Sequence, residues 1–141
     1  MDHVVYVNAK TGELHKLLEG KKTMVIRGAA GRKLPYGRVN KGDILYFMRN
    51  NAEGLVRARG VVSDVLNSEK LSEQMSRRLV EDNQDKLQLE DSEVKRWAGK
   101  RYLVLVSVKD VKEVNPFSID KTEFGNMDDW LAVGNIDHYR E

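Results

Sequence analysis

The apolar positions of this chain fall into short groups whose spacing changes along its length. His3-Val-Val-Tyr-Val7 is a continuous apolar run of strand length. In the stretch Thr11–Gly20, Leu14, Leu17 and Leu18 recur at i, i+3 and i+4, which predicts a two-turn helix with Thr11 as N-cap and Gly20 just past its end. Thr23-Met-Val-Ile-Arg27 is β-branched and predicts a strand with Thr23, Val25 and Arg27 on one face and Met24 and Ile26 on the other. Gly28–Gly42 carries Pro35 and several glycines and reads as a long loop, a feature usually tied to function in a compact domain. Asp43–Arg49 is apolar on both faces and predicts a central strand. Leu55–Val65 predicts the next strand, with Arg57 and Arg59 alternating with Val56 and Ala58 and a bulge at Gly60. Leu71, Met75 and Leu79 then predict a helix over Ser68–Leu79, capped by Ser68 or Ser72. Glu81–Gln88 is polar and predicts no element. Asp91–Ala98 predicts a short helix ended by Gly99, and Tyr102–Val108 is strongly strand-like. From Glu113 the periodicity is weak, but Phe117, Phe124 and Trp130 predict a tail packed on the body.

Short strands outnumber helices, and some are joined without crossover helices. The pattern predicts an α+β fold with a curved, mostly antiparallel sheet or small β-barrel and a few short helices. The 141 residues predict a single domain, 1–141, with 113–141 as an acidic C-terminal extension. The chain has no cysteine, which excludes disulfides, thiol catalysis and zinc–thiolate or iron–sulfur sites. His3, His15 and His138 are scattered, and Asp128-Asp129 has no third ligand at metal-binding spacing, so no metal and no cofactor is expected. No apolar run approaches ~18 residues and the start is not signal-like, so no membrane association and a cytoplasmic location are expected.

Charge sharpens the picture, because the net +2 hides an asymmetry. Lys16–Arg59 carries eleven Lys and Arg against Glu19, Asp43 and Glu53, a surplus of eight positive charges. Asp110–Glu141 carries eight acids against Lys112, Lys121 and Arg140. Such a basic lobe suits a phosphate-bearing partner, unless it is paired internally with the acidic tail. The loop Gly28–Arg38 combines glycines, Arg32, Lys33, Arg38 and Tyr36, a mixture suited to close backbone approach, phosphate contact and base stacking. It is no Walker loop, since no Gly-Lys-Ser/Thr precedes a helix. Trp97, beside Lys95 and Arg96, fits either a stacking platform or a core anchor. Trp130 fits a packing clasp, and Arg57 and Arg59 either extend the basic stripe or form a solvated strand face.

The run Gly20-Lys-Lys-Thr-Met-Val-Ile-Arg27, followed by Gly42-Asp43 before an apolar strand, resembles the ASCH family of the PUA-like superfold. The resemblance spans about Val4 to Val108. It implies a PUA-like barrel that binds RNA or a modified nucleotide in a cleft between the curved sheet and a helix. On that reading Lys22, Thr23 and Arg27 line the cleft, Arg32, Lys33 and Arg38 follow the phosphates, and Tyr36 stacks. Ion pairing of Lys22 and Arg27 with Asp128 or Asp129 is the competing reading. Some ASCH proteins are hydrolases, either amidohydrolases on acylated cytidine nucleosides, using a Lys, a Thr and a Glu, or ribonucleases. Here the Lys falls on Lys22. The Thr falls on Val25, which has no hydroxyl, and the Glu falls on Leu79, with Glu73 and Glu81 nearby. Binding is therefore the leading expectation. The alternative is a hydrolase with Lys22 as base and Glu73 or Glu81 as its partner, and a third reading is a regulatory module that docks through its Trp130 tail.

Overall fold

The structure, a computed structural model, describes residues 1–124 and 129–141. In chain order its elements are β1 (Asp2–Val7), α1 (Glu13–Leu18), β2 (Met24–Ala29), β3 (Ile44–Arg49), β4 (Val56–Asn67), α2 (Glu73–Asp82), α3 (Gln84–Leu87), α4 (Asp91–Trp97), β5 (Tyr102–Phe117) and β6 (Trp130–Gly134), with a 3-10 turn at Ile136–His138. The strands form one sheet in the order β2-β5-β4-β3-β1-β6. β1 and β3 pair in parallel, and every other pair is antiparallel. The sheet curls into a half-barrel, the PUA-like α+β architecture expected from the sequence.

Strand alternation sorts the apolar side chains into three layers. Val25, Phe47, Ala58 and Val106 point into the concave interior, which Leu14 and Leu17 of α1 close. Met24, Ile26 and Leu105 point the other way and are covered by Val80, Leu87 and Trp97 of the helices. On the outer face of β1 and β3, Val4 and Met48 are covered by Ile119, Leu131 and Ile136 from the C-terminal segment.

The differences from the sequence expectations are local and have physical causes. The N-cap of α1 is Gly12 in the left-handed region (φ 69°), not Thr11, and no side chain caps this helix. The Ser68–Leu79 helix begins only at Glu73, with Ser72 Oγ accepting from Met75 N (3.1 Å). Ser68 instead serves the sheet, its Oγ accepting from Leu103 N (2.9 Å). The polar Glu81–Gln88 stretch contains α3, which buries Leu87. β5 continues past Val108 to Phe117, so residues 113–117 belong to the sheet and the packed tail begins after them. The Gly60 bulge is present, with a register shift between Arg59 and Val61 against β5.

Candidate functional site

A half-barrel leaves a seam. Here it lies between the edge strand β2 and the β1–β6 side, and Arg27 bridges it. Its Nη2 donates to Tyr6 O of β1 (2.6 Å) and its Nη1 to Ile26 O (2.7 Å). The guanidinium carbon lies 5.7 Å from the ring centroids of both Trp97 and Trp130. Arg27 is only 8% exposed. Its Nε is buried without a hydrogen-bond partner, although Asp129 Oδ2 stands 3.2 Å away.

Over this seam lies α4, started by a capping box between Glu90 and Glu93. Glu93, Arg96 and Trp97 are spaced i, i+3 and i+4, so one helix face delivers a carboxylate, a cation and an indole to the cleft. The cleft has two chambers. The outer one, about 230 Å³, is lined by Lys33, Tyr36, Lys100 and Tyr102, among others. The inner one, about 330 Å³, is lined by Tyr6, Asn8, Glu13, Asn50, Ser92 and Glu93, among others. Arg27, Arg96, Trp97 and Asp129 belong to both and form the wall between them. Among the described residues, the outer chamber thus gathers four cations around one carboxylate, that of Asp129, whereas the inner chamber is rich in carboxylates.

The residues singled out from the sequence are distributed unevenly over this cleft. Arg27, Lys33 and Tyr36 line the outer chamber. Tyr36 is tied down by its hydroxyl, which donates to Ser68 O (2.6 Å), and it meets Tyr102 edge-on at 5.8 Å. Arg32 rests over both rings, 5.6 Å from Tyr36 and 5.7 Å from Tyr102. Thr23 and Arg38 are exposed and line neither chamber.

Lys22 does not reach the surface. It is 1% exposed, its Nζ donates to Leu87 O at 2.5 Å, and Glu13 Oε2 lies 3.4 Å away. Burial pushes its pKa below the usual lysine value, opposed by the charges of Glu13 and Glu93. The carboxylates that act on Lys22 are therefore these two. Glu73 pairs with Arg77 (3.1 Å) on α2, and Glu81 is exposed. Val25 is fully buried in the core, so the position that the hydrolase pattern needs as a hydroxyl is aliphatic packing.

Arg57 and Arg59 do not extend the cleft. Arg57 joins Arg49 on Glu53, whose carboxyl is held down to about 2 by hydrogen bonds from Arg49 and then Arg57. Arg59 lies over Tyr46, 5.7 Å from its centroid. Trp130 is buried, with Nε1 donating to His3 Nδ1 (3.1 Å). Asp128 lies outside the described residues. Among those residues no group of three His, Asp or Glu could hold a metal, and no helix is long and apolar enough to cross a membrane. Sequence reading missed Glu13, Glu93, Lys100 and Tyr102. The Glu93/Arg96/Trp97 spacing carried the signal for α4, but only the seam shows what that face meets.

No family model matches the sequence, and no curated protein does. The crystal structure of ASCH from Zymomonas mobilis superposes with a TM-score of 0.70, covering 97% of this chain and 91% of that one at 11% identity. A single-residue variant of the same protein gives 0.71, covering 97% and 93%. The chain has the ASCH fold. At this identity the likeness speaks to the fold, and the chemistry of the cleft rests on this chain's own residues.

Proposed function

We propose that the chain binds RNA or a modified nucleotide in the ASCH cleft. One observation carries this reading: the outer chamber collects Arg27, Lys33, Arg96 and Lys100 around the rings of Tyr36, Trp97 and Tyr102. Cations next to aromatic faces suit a ligand that offers phosphates and flat bases together. Lys33 and Lys100 are exposed and free to reach phosphate, while Tyr36 and Tyr102 supply ring surface already fixed in orientation. Lys22 supports the site from beneath, by holding Glu13 and the carbonyl of Leu87.

The test is binding of labelled single-stranded RNA, with matched DNA as control, between about 50 and 200 mM salt. Each phosphate contact contributes about −0.7 to the slope of log affinity against log salt for a single strand. Joint Lys33→Ala and Lys100→Ala substitution should weaken binding and flatten that slope by about 1.4. Salt-insensitive binding, or binding unaffected by these changes, would refute the reading. The hydrolase alternative rests on the lowered pKa of Lys22 beside Glu13. It requires turnover of N-acylated cytidine or cleavage of RNA that Lys22→Met abolishes in a protein that still folds.

A further inference from the structure

Asp129 occupies an unusual place in this cleft. Its Oδ2 lies 3.2 Å from Arg27 Nε and 3.3 Å from Arg96 Nη2. It is the one carboxylate among the described residues of the outer chamber, and it stands in the wall between the chambers. Its backbone is fixed, since its carbonyl accepts from Tyr6 N (3.0 Å) and the next residue, Trp130, is bonded to His3. Its side chain is still 39% exposed toward the cleft. Oδ2 accepts from Arg96 Nη2 (3.3 Å) but is not aligned with Arg27 Nε. Arg27 Nε remains a buried donor without a properly aligned acceptor, which costs free energy until an acceptor arrives. A phosphate oxygen is such an acceptor, and a phosphate can at the same time meet the exposed fork of Arg96 with a second oxygen.

We propose that Asp129 is a built-in competitor for ligand phosphate, holding Arg27 and Arg96 until a phosphate of the ligand replaces it. The proposal rests on the reading of the cleft as a site for a phosphate-bearing ligand. It makes Asp129 a specificity residue: the exposed Lys33 and Lys100 receive any polyanion, and only a ligand that reaches the wall displaces the carboxylate. It also gives the acidic tail a defined role toward the basic lobe, at one residue rather than by bulk charge.

The experiment compares the full chain with Asp129→Asn and Asp129→Glu, titrated with short labelled single-stranded RNA across the same salt range. Thermal melts establish that each variant folds, and Asp129→Ser serves as a second neutral variant. Asp129→Asn and Asp129→Ser should bind roughly twofold to fivefold tighter, the scale of a partly exposed ion pair. Their salt slope should stay that of the parent, because the same phosphate meets Arg27 and Arg96 once Asp129 has been displaced. Asp129→Glu should stay close to the parent. Unchanged or weaker binding, in neutral variants that melt normally, overturns the competitor role while leaving RNA binding intact. Absence of RNA binding in parent and variants alike overturns the proposed function itself, and the competitor role with it.

Discussion

At the scale of single residues, the buried polar side chains among the described residues are hydrogen-bonded except at Thr11 Oγ1 and Arg27 Nε. His3 is fully buried, accepts from Trp130 Nε1 at Nδ1 (3.1 Å), and lies 2.8 Å from Asp43 Oδ2 through Nε2. Because the indole only donates, the imidazole carries its proton on Nε2 and donates it to Asp43. Burial pushes His3 below the ordinary value of 6.5, and Asp43 opposes this only in part. Burial pushes Asp43 upward, yet the hydrogen bonds from His3 and Asn40 outweigh it and hold it below the usual carboxylate value. Both folded values are depressed, so the sign is the same for both groups. The stability from His3 is present above pH 6.5 and is lost as pH falls from there through the folded value; that of Asp43 is lost at more acidic pH. Thermal melts followed by Trp fluorescence should show the melting temperature declining below pH 6.5. His3→Asn should lower it throughout and remove that step. Lys22 makes a second case. Lys22→Ala leaves Glu13 buried without its cation and Leu87 O without its donor, a loss of about 3 kcal/mol or more. Adding Glu13→Gln to Lys22→Met should recover part of that loss in denaturant melts, whereas a lysine serving only a ligand would leave the melts unchanged.

At the scale of elements, β4 and β5 form the longest ribbon, and at Gly60 neighbouring side chains occupy the space a Cβ would need. A Cβ there would stand 3.0 Å from Val111 Cγ2 and 3.4 Å from Phe47 Cε2. Gly60→Ala should therefore cost about 1–3 kcal/mol by denaturant unfolding. Val111→Ala added to it should restore part of the loss, because the clash is with a side chain. This ribbon also marks the limit of what the sequence disclosed. β1 through β3 bury apolar residues on both faces and β4, α1 and α4 on one, so apolar runs and periodicity placed them within a few residues. The far half of β5, Lys109–Glu113, is charged on both faces because it extends as a ribbon beside β4, so no apolar alternation announces it. β6 is five residues long and pairs with β1 across almost the whole chain, a contact that no local pattern encodes. The parallel pairing of β1 with β3 is hidden for the same reason. Within the site, alternation placed Arg27 on the face of Val25, but not at an unclosed seam. The Gly-x-Lys-Thr run marked Lys22 without showing that its ammonium turns inward.

At the scale of the whole molecule, only part of the charge asymmetry of the sequence is spent on local pairs. Lys22 meets Glu13, and Arg49 and Arg57 meet Glu53, all within the N-terminal part of the chain. Among the described residues, the ion pairs that tie the tail to the rest of the chain are those of Asp129 with Arg27 and Arg96. The tail is joined to the body mainly by apolar burial instead. Ile119, Trp130, Leu131, Val133 and Ile136 are each at most 7% exposed. At about 1.5–3 kcal/mol for each buried side chain, these five contribute an amount comparable to the entire stability of a typical domain, about 5–15 kcal/mol. Truncation after Phe117 would also strip β6 from β1, remove the indole partner of His3 and uncover the outer face of β3. The truncated chain should therefore show no cooperative thermal transition and should expose apolar surface to a hydrophobic dye. If it melts as cooperatively as the full chain, the tail is an appendage rather than a wall of the fold. In that case truncation would mimic Asp129→Asn in RNA titrations, and one protein would test both the architecture and the competitor.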